Sequence, residues 1–147
     1  MPNYYPPLSF HFKVEVIGMT AQNDTRFSEV GGLSVEILTE EAAEGGENRF
    51  VQKYPGRLKY PELLLKRGLL VKSEVFDWIK QSLESDEITP KNIDVKLLNE
   101  QHEPLVTWHV ANAFPTKWTV SDLNATGNTV VVESLQFFYQ YFTVDRA

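Results

Sequence analysis

From Leu8 to Val16 the chain alternates without interruption, with Leu8, Phe10, Phe12, Val14 and Val16 on one side and Ser9, His11, Lys13 and Glu15 on the other. A period of two is what a half-buried sheet imposes on its strands, so this stretch predicts a strand. A shorter strand candidate, Arg26 to Val30, leads into Gly31-Gly32 and then Leu33 to Leu38. The glycine pair permits a tight turn, and the two runs read as a hairpin. From Thr39 to Gly56 the periodicity lapses among glutamates, Gly45-Gly46 and Tyr54-Pro55-Gly56. A long loop is expected there, and loops of that length in compact domains are usually functional or disordered. Strand signal returns at Leu63 to Arg67, with Gly68 marking a bulge or bend.

One helix is predicted. Ser73 is placed as an N-cap, Glu74 and Asp77 lie in the first turn, and Val75, Phe76, Ile79 and Leu83 recur at helical spacing until Ser85-Asp86. After Pro90, Ile93, Val95 and Leu97 alternate with Asp94 and Lys96, and a polar turn leads to a second strand, Leu105 to Ala111. The final segment, Thr129 to Val144, is apolar on both faces. Val130, Val132, Phe138 and Phe142 lie on one face, and Val131, Leu135, Phe137, Tyr139 and Tyr141 on the other. Read as one long strand, it needs cover on both faces, part of it from a neighbouring subunit.

The pattern is therefore mainly β with one helix. At 147 residues, of which 42% are hydrophobic and 12% aromatic, the chain suits a single domain over 1–147, residues 1–7 forming an N-terminal extension. The absence of cysteine removes disulfides, thiolate metal sites and a cysteine nucleophile together. Neither a basic segment followed by an apolar one at the N-terminus nor an apolar run long enough to span a bilayer is present, so a soluble protein without a signal peptide is expected. A net charge of −6 argues against sequence-independent binding to phosphate backbones. The charge is also segregated. Glu36, Glu40, Glu41, Glu44 and Glu47 form a block without cations, and Arg49, Lys53, Arg57, Lys59, Lys66, Arg67 and Lys72 follow with Glu62 alone opposing them.

Chemistry-bearing motifs are scarce. His11, His102 and His109 lack the spacing of metal or catalytic pairs, and no nucleophile elbow, phosphate loop or dinucleotide fingerprint occurs. Glu40, Glu41, Glu44 and Glu47 could in principle serve glycoside hydrolysis or Ca²⁺, yet without the EF-hand spacing they read better as a solvated or partner-facing run. Trp78, Trp108 and Trp118 with Tyr139 and Tyr141 raise the alternative of a carbohydrate-binding β-sandwich module, against which stands the usual role of large aromatics in cores and interfaces. No cofactor and no enzyme activity are expected.

Taken in order, several segments resemble the tail-tube protein family of contractile phages and phage-derived contractile injection systems. They are Phe10-x-Phe12-x-Val14, Phe27-Ser28-Glu29-Val30-Gly31-Gly32-Leu33, Glu41-x-x-Glu44-Gly45-Gly46, Tyr54-Pro55-Gly56 and Leu63-x-Leu65-Lys66-Arg67-Gly68. Trp78 in the helix, Leu97-Leu98-Asn99-Glu100, Trp108-x-Val110-x-Asn112-Ala113-Phe114-Pro115 and Leu123-Asn124-Ala125 complete the set. The resemblance implies a β-barrel-like sandwich of antiparallel strands with one helix on its side. It further implies six copies closing into a ring, and rings stacking into a hollow tube inside a sheath. The partners implied are the chain itself as a homohexamer, sheath, baseplate and spike proteins, and cargo or DNA in the lumen, with no membrane insertion. Assembly is expected in the cytoplasm, before incorporation into a phage tail or a released or membrane-anchored particle. The 39–56 segment becomes an inter-ring loop, with Glu40, Glu41, Glu44, Glu47, Arg49, Lys53, Arg57 and Lys59 as contact residues. The tract Glu47–Gln52 and the Tyr-rich ends depart from the commoner tube pattern, which raises a baseplate tube-initiator layer as the other position.

Overall fold

A computed structural model describes residues 11–19, 26–42, 52–85, 87–127 and 130–146. Along the chain run β1 (His11–Val16), β2 (Glu29–Gly31), β3 (Glu36–Ala42), β4 (Gln52–Lys59), β5 (Leu63–Gly68), α1 (Glu74–Glu84), β6 (Lys91–Leu98), β7 (Pro104–Val120), β8 (Val132–Phe138) and β9 (Tyr141–Arg146). The main sheet follows the order β1-β6-β7-β8-β5-β2, β9 also pairs with β7, and all pairings are antiparallel. It folds over on itself without closing. Between its ends, β1 and the chain entering β2 are joined by the isolated bridge Lys13–Arg26. The expected mainly-β, one-helix class is what the chain adopts, as an open sandwich rather than a closed barrel.

The fold-over is made by β7, which runs far beyond the predicted 105–111. Its first part pairs with β6 and β9, and from Phe114 onward it pairs with β8. The change of partner falls beside Asn112, at φ 52 a left-handed residue in the middle of a strand. Asn112 Nδ2 donates to Gln140 Oε1 at 2.8 Å, and Gln140 N donates to the Ala111 carbonyl at 3.0 Å.

That corner corrects the reading of 129–144 as one strand. Leu135, Phe137 and Tyr139 are buried before it, whereas Phe142, two strands' phase later, is the residue turned toward the core after it. Two ordinary half-buried strands joined out of phase imitate one strand apolar on both faces. The hairpin predicted for 26–38 is also corrected. β2 pairs with β5, and β3 pairs with β4 in a separate two-stranded ribbon. The expected 39–56 loop is strand through Ala42 and again from Gln52, and residues 43–51 lie outside the described residues. Residues 8–10 of the first predicted strand also lie outside them.

The core joins Val14, Val16, Leu63, Leu65, Ile93, Val95, Val110, Leu135 and Phe137 to Val75, Trp78 and Ile79 of α1. Trp78 stacks on Phe137 at 5.5 Å and donates from Nε1 to the Thr89 carbonyl at 2.9 Å. Leu83, placed on the apolar stripe by its spacing, is exposed, and Trp78 takes the inward position instead. Ser73 caps α1 as predicted, its side chain accepting from Phe76 N at 3.0 Å. The same hydroxyl accepts from Arg67 Nη2 at 2.8 Å. Arg67 and Glu133, 2% and 1% exposed, face each other at 3.5 Å, and the guanidinium lies 4.7 Å from the Phe27 ring centre. A buried charge pair of this kind is tolerated only when its members satisfy one another. None of the described helices is long and apolar enough to cross a membrane.

Candidate functional site

The β3–β4 ribbon is the part of the molecule that its own core does not explain. Every described side chain from Ser34 to Glu41 and from Lys53 to Lys59 is exposed. A lone two-stranded ribbon is marginally stable in water. Yet this one places Ile37 opposite Leu58, 57% and 54% exposed, with Val35, Leu38 and Tyr54 nearby in sequence and also open. Apolar side chains left open in this way mark a surface suited to contact with another.

The charge blocks fall on the two strands of the arm. Glu36, Glu40 and Glu41 belong to β3, while Lys53, Arg57 and Lys59 belong to β4. Glu36 is opposite Lys59 and Glu41 opposite Lys53, the latter pair 3.9 Å apart and well exposed. Acid and base therefore meet first within one ribbon, and leave an acidic outer edge on β3 and a basic one on β4. Glu44, Glu47 and Arg49 lie outside the described residues. The register slips between Ile37 and Thr39, where a Cβ on Gly56 would stand 2.8 Å from the Leu38 carbonyl oxygen. The close approach of the two backbones accounts for glycine after Pro55.

The root of the arm is rigid. Gly32, at φ +89, turns the chain out of the body at a point where an added Cβ would collide with the Glu62 carbonyl. On the return, Tyr60 packs edge-on against Tyr139 and Phe142 at 5.7 and 5.2 Å. Burial pushes the Tyr139 hydroxyl up to about 12, with the neighbouring Tyr60 adding to the shift. The sequence places Tyr139 on a strand face and among the aromatics of a candidate sugar platform, and does not single out Tyr60. The one local signal at Tyr60 is its place before Pro61, which biases its backbone to the extended region without fixing the face its ring takes.

On the outer face of β1, β6, β7 and β9 the alternation leaves a polar network. Glu15 accepts from Lys13 at 2.9 Å and from Lys96 at 3.1 Å, and the Lys13 hydrogen bond is the main reason its carboxyl titrates below the usual range. His109 places Nδ1 2.8 Å from Asp94 and Nε2 2.8 Å from Asp145. With an acceptor at each nitrogen the ring satisfies both only as imidazolium, and the hydrogen bond with Asp94, followed by that with Asp145, raises its pKa. His11 and His102 lie 5.2 Å apart, ring to ring, at one end of this face. No group of three His, Asp or Glu side chains suited to a metal ion occurs among the described residues.

The aromatic residues considered for a sugar platform are dispersed. Trp78 and Tyr139 are buried, and Trp118 packs on Phe76 at 5.1 Å. Trp108 packs against the core, and Tyr141 is the one of the five that is open to solvent.

The family model of the T4-like virus tail tube protein gp19 matches residues 8–143. Among solved structures, a chain of the anti-feeding prophage (AFP) baseplate superposes with a TM-score of 0.85 at 25% identity, covering 99% of this chain and 98% of that one. A chain of the PVC sheath-tube complex, an extracellular contractile injection system in its extended state, gives 0.82 at 30% identity, covering 98% and 94%. Hcp1 from Flavobacterium johnsoniae shares the fold, with a TM-score of 0.61 at 14% identity, covering 94% and 97%. Comparison with curated proteins gives no significant match.

Proposed function

The chain belongs to the T4-like virus tail tube protein family and is a structural tail-tube subunit of a contractile injection system, and on that premise we propose that it works by closing into hexameric rings that stack into a hollow tube. The observation that carries this reading is the arm. It is a β-ribbon with no buried side chain among its described residues, an apolar pair at its centre and opposite charge on its two edges. Such an element has a physical role only against another surface. A ring needs a lateral contact whose rotation closes, and a stack needs complementary upper and lower faces. Glu40, Glu41, Glu44, Glu47, Arg49, Lys53, Arg57 and Lys59 are the proposed contact residues between subunits or rings. Their charge sets register and association rate, and the apolar pair supplies the larger share of the association energy.

The role is non-catalytic: the work of the site is adhesion, and sheath and baseplate proteins are the further partners. Assembly takes place in the cytoplasm, followed by incorporation into a particle that carries cargo through its lumen. Electron microscopy of the purified protein, alone and with its baseplate, tests the reading. Six-fold rings and stacks are expected, and a protein that stays monomeric on its own baseplate would overturn it. The same images separate the two positions in the tube, since the likeness extends to a baseplate chain and a sheath-tube chain alike: a repeating subunit builds long stacks, and an initiator layer stops at one ring.

A further inference from the structure

We infer that the open seam of the sandwich, between β1 and the chain entering β2, is the receptor for the acidic edge of the arm of a second copy. This inference rests on the self-assembly reading above and names the surface that the arm meets.

Three observations bring the two surfaces together. The first is the seam itself. β1 is bonded to β6 along one edge, while its other edge meets the body only at the Lys13–Arg26 bridge among the described residues. An edge left this way is a template for an added strand. The second is charge. The seam holds a groove of about 750 Å³ to which Lys13, Arg26 and Lys96 contribute cations, and whose one carboxylate, Glu15, is already held by two of them. His11 and His102 at its end carry further positive charge when protonated. The third is the arm, whose β3 edge offers Glu36, Glu40 and Glu41 and no cation. The basic β4 edge would be repelled from this groove, so the choice of strand follows from sign alone.

Arg26 and Glu40 are the residues to reverse, because neither belongs to the Lys13–Glu15–Lys96 network or to the Glu41–Lys53 pair. Sedimentable tube is measured for the full chain, in the presence of its baseplate, at low and at physiological salt. Arg26→Glu and Glu40→Lys are each expected to lower the yield about tenfold, the scale of one lost charge contact of roughly 1.4 kcal/mol. The double variant is expected to recover most of it, and wild-type assembly should weaken as salt rises. Matching thermal unfolding of the monomeric variants separates a lost contact from a lost fold. The inference is overturned if either single variant assembles normally, or if the double variant stays as poor as the singles. If the wild type forms no ring or stack at all, the assembly reading fails first and this one with it.

Discussion

The hydroxyl of Tyr139 donates a 3.0 Å hydrogen bond to the carbonyl of Gly32. It thereby ties the corner between β8 and β9 to the residue at which the chain leaves the body for the arm. Tyr60, on the returning strand, packs against the same ring. Both legs of the arm are therefore anchored at one aromatic cluster, and the direction in which the arm projects is set by packed side chains rather than by a hinge.

Replacing Tyr139 with Phe keeps the packing and removes the donor. The Gly32 carbonyl then loses its partner in a largely dehydrated site, a loss of about 1–2 kcal/mol in chemical denaturation. The replacement also has a pH signature. Tyr139 is held protonated up to about 12, above the value near 10 of an unfolded tyrosine. Stability from this group is thus complete below pH 10 and declines as pH rises toward 12, because the unfolded chain ionises first. Y139F should flatten that decline, and an unchanged alkaline slope would count against the assignment.

Gly32 permits no side chain. At φ +89, an added Cβ would lie 2.1 Å from the Glu62 carbonyl oxygen, so the backbone must move. Gly32→Ala is expected to cost at least about 3 kcal/mol, from backbone strain and collision together. Gly31→Ala is the control: it has no such φ, and its nearest neighbour, Leu64 Cβ, would be at 3.9 Å. Equal unfolding midpoints for the two variants would show that the turn is not constrained.

Much of this architecture is legible in the chain, and what is not has a physical cause. The alternation around Val14 and Val16 and the cap at Ser73 are local signals, and the structure uses them as read. The part of the arm within 39–56 reads as loop because a ribbon with both faces in solvent has no reason to segregate apolar from polar residues, so Thr39–Glu41 and Lys53–Gly56 carry no phase. The pairing of β2 with β5, not with the strand that follows it, joins Glu29–Gly31 to Leu64–Lys66 across more than thirty residues, and a local pattern does not carry that choice. The β8–β9 corner has a different cause: the phase shifts between Tyr139 and Phe142, and with Tyr141 aromatic as well the turn leaves only Gln140 as a gap in hydrophobicity. The charge blocks were visible, but their pairing across β3 and β4 was not.

His109 gives the outer sheet face a pH dependence. Its pKa is raised, first by Asp94 and then by Asp145. Its contribution is therefore complete below the unfolded value near 6.5 and is lost as pH rises through the folded value. With its side chain 43% exposed, solvent screening keeps the effect below about 1 kcal/mol. NMR titration of the His109 ring should report the raised value, and Asp94→Asn should lower it more than Asp145→Asn. The opposite order would reverse the assigned causes.

The buried Arg67–Glu133 pair is expected to be costly to break and cheap to replace whole. Arg67→Met leaves a carboxylate that is 1% exposed without its counter-charge, and also removes the hydrogen bond that Arg67 donates to the Ser73 hydroxyl capping α1. A loss of about 3–5 kcal/mol is expected. In the double variant Arg67→Met/Glu133→Leu the stranded charge is gone, so most of that loss should be regained. Additive losses in a double-mutant cycle would show that the two side chains act independently.

Ile37 and Leu58 separate stability of the subunit from stability of the assembly. They are opposed across the arm and more than half exposed, so the isolated subunit draws little from them. Ile37→Ser/Leu58→Ser should shift monomer unfolding by less than about 0.5 kcal/mol, the range of ordinary surface substitutions. In a ring or stack the same two side chains are expected to be covered, each contributing on the order of 1.5–3 kcal/mol once buried, so the double variant should lower the yield of sedimentable tube by well over about tenfold. The two measurements must diverge for the arm to be an assembly element. A fall in monomer stability would mean that the pair packs within its own subunit, and unimpaired tube formation would mean that the association energy resides elsewhere on the molecule.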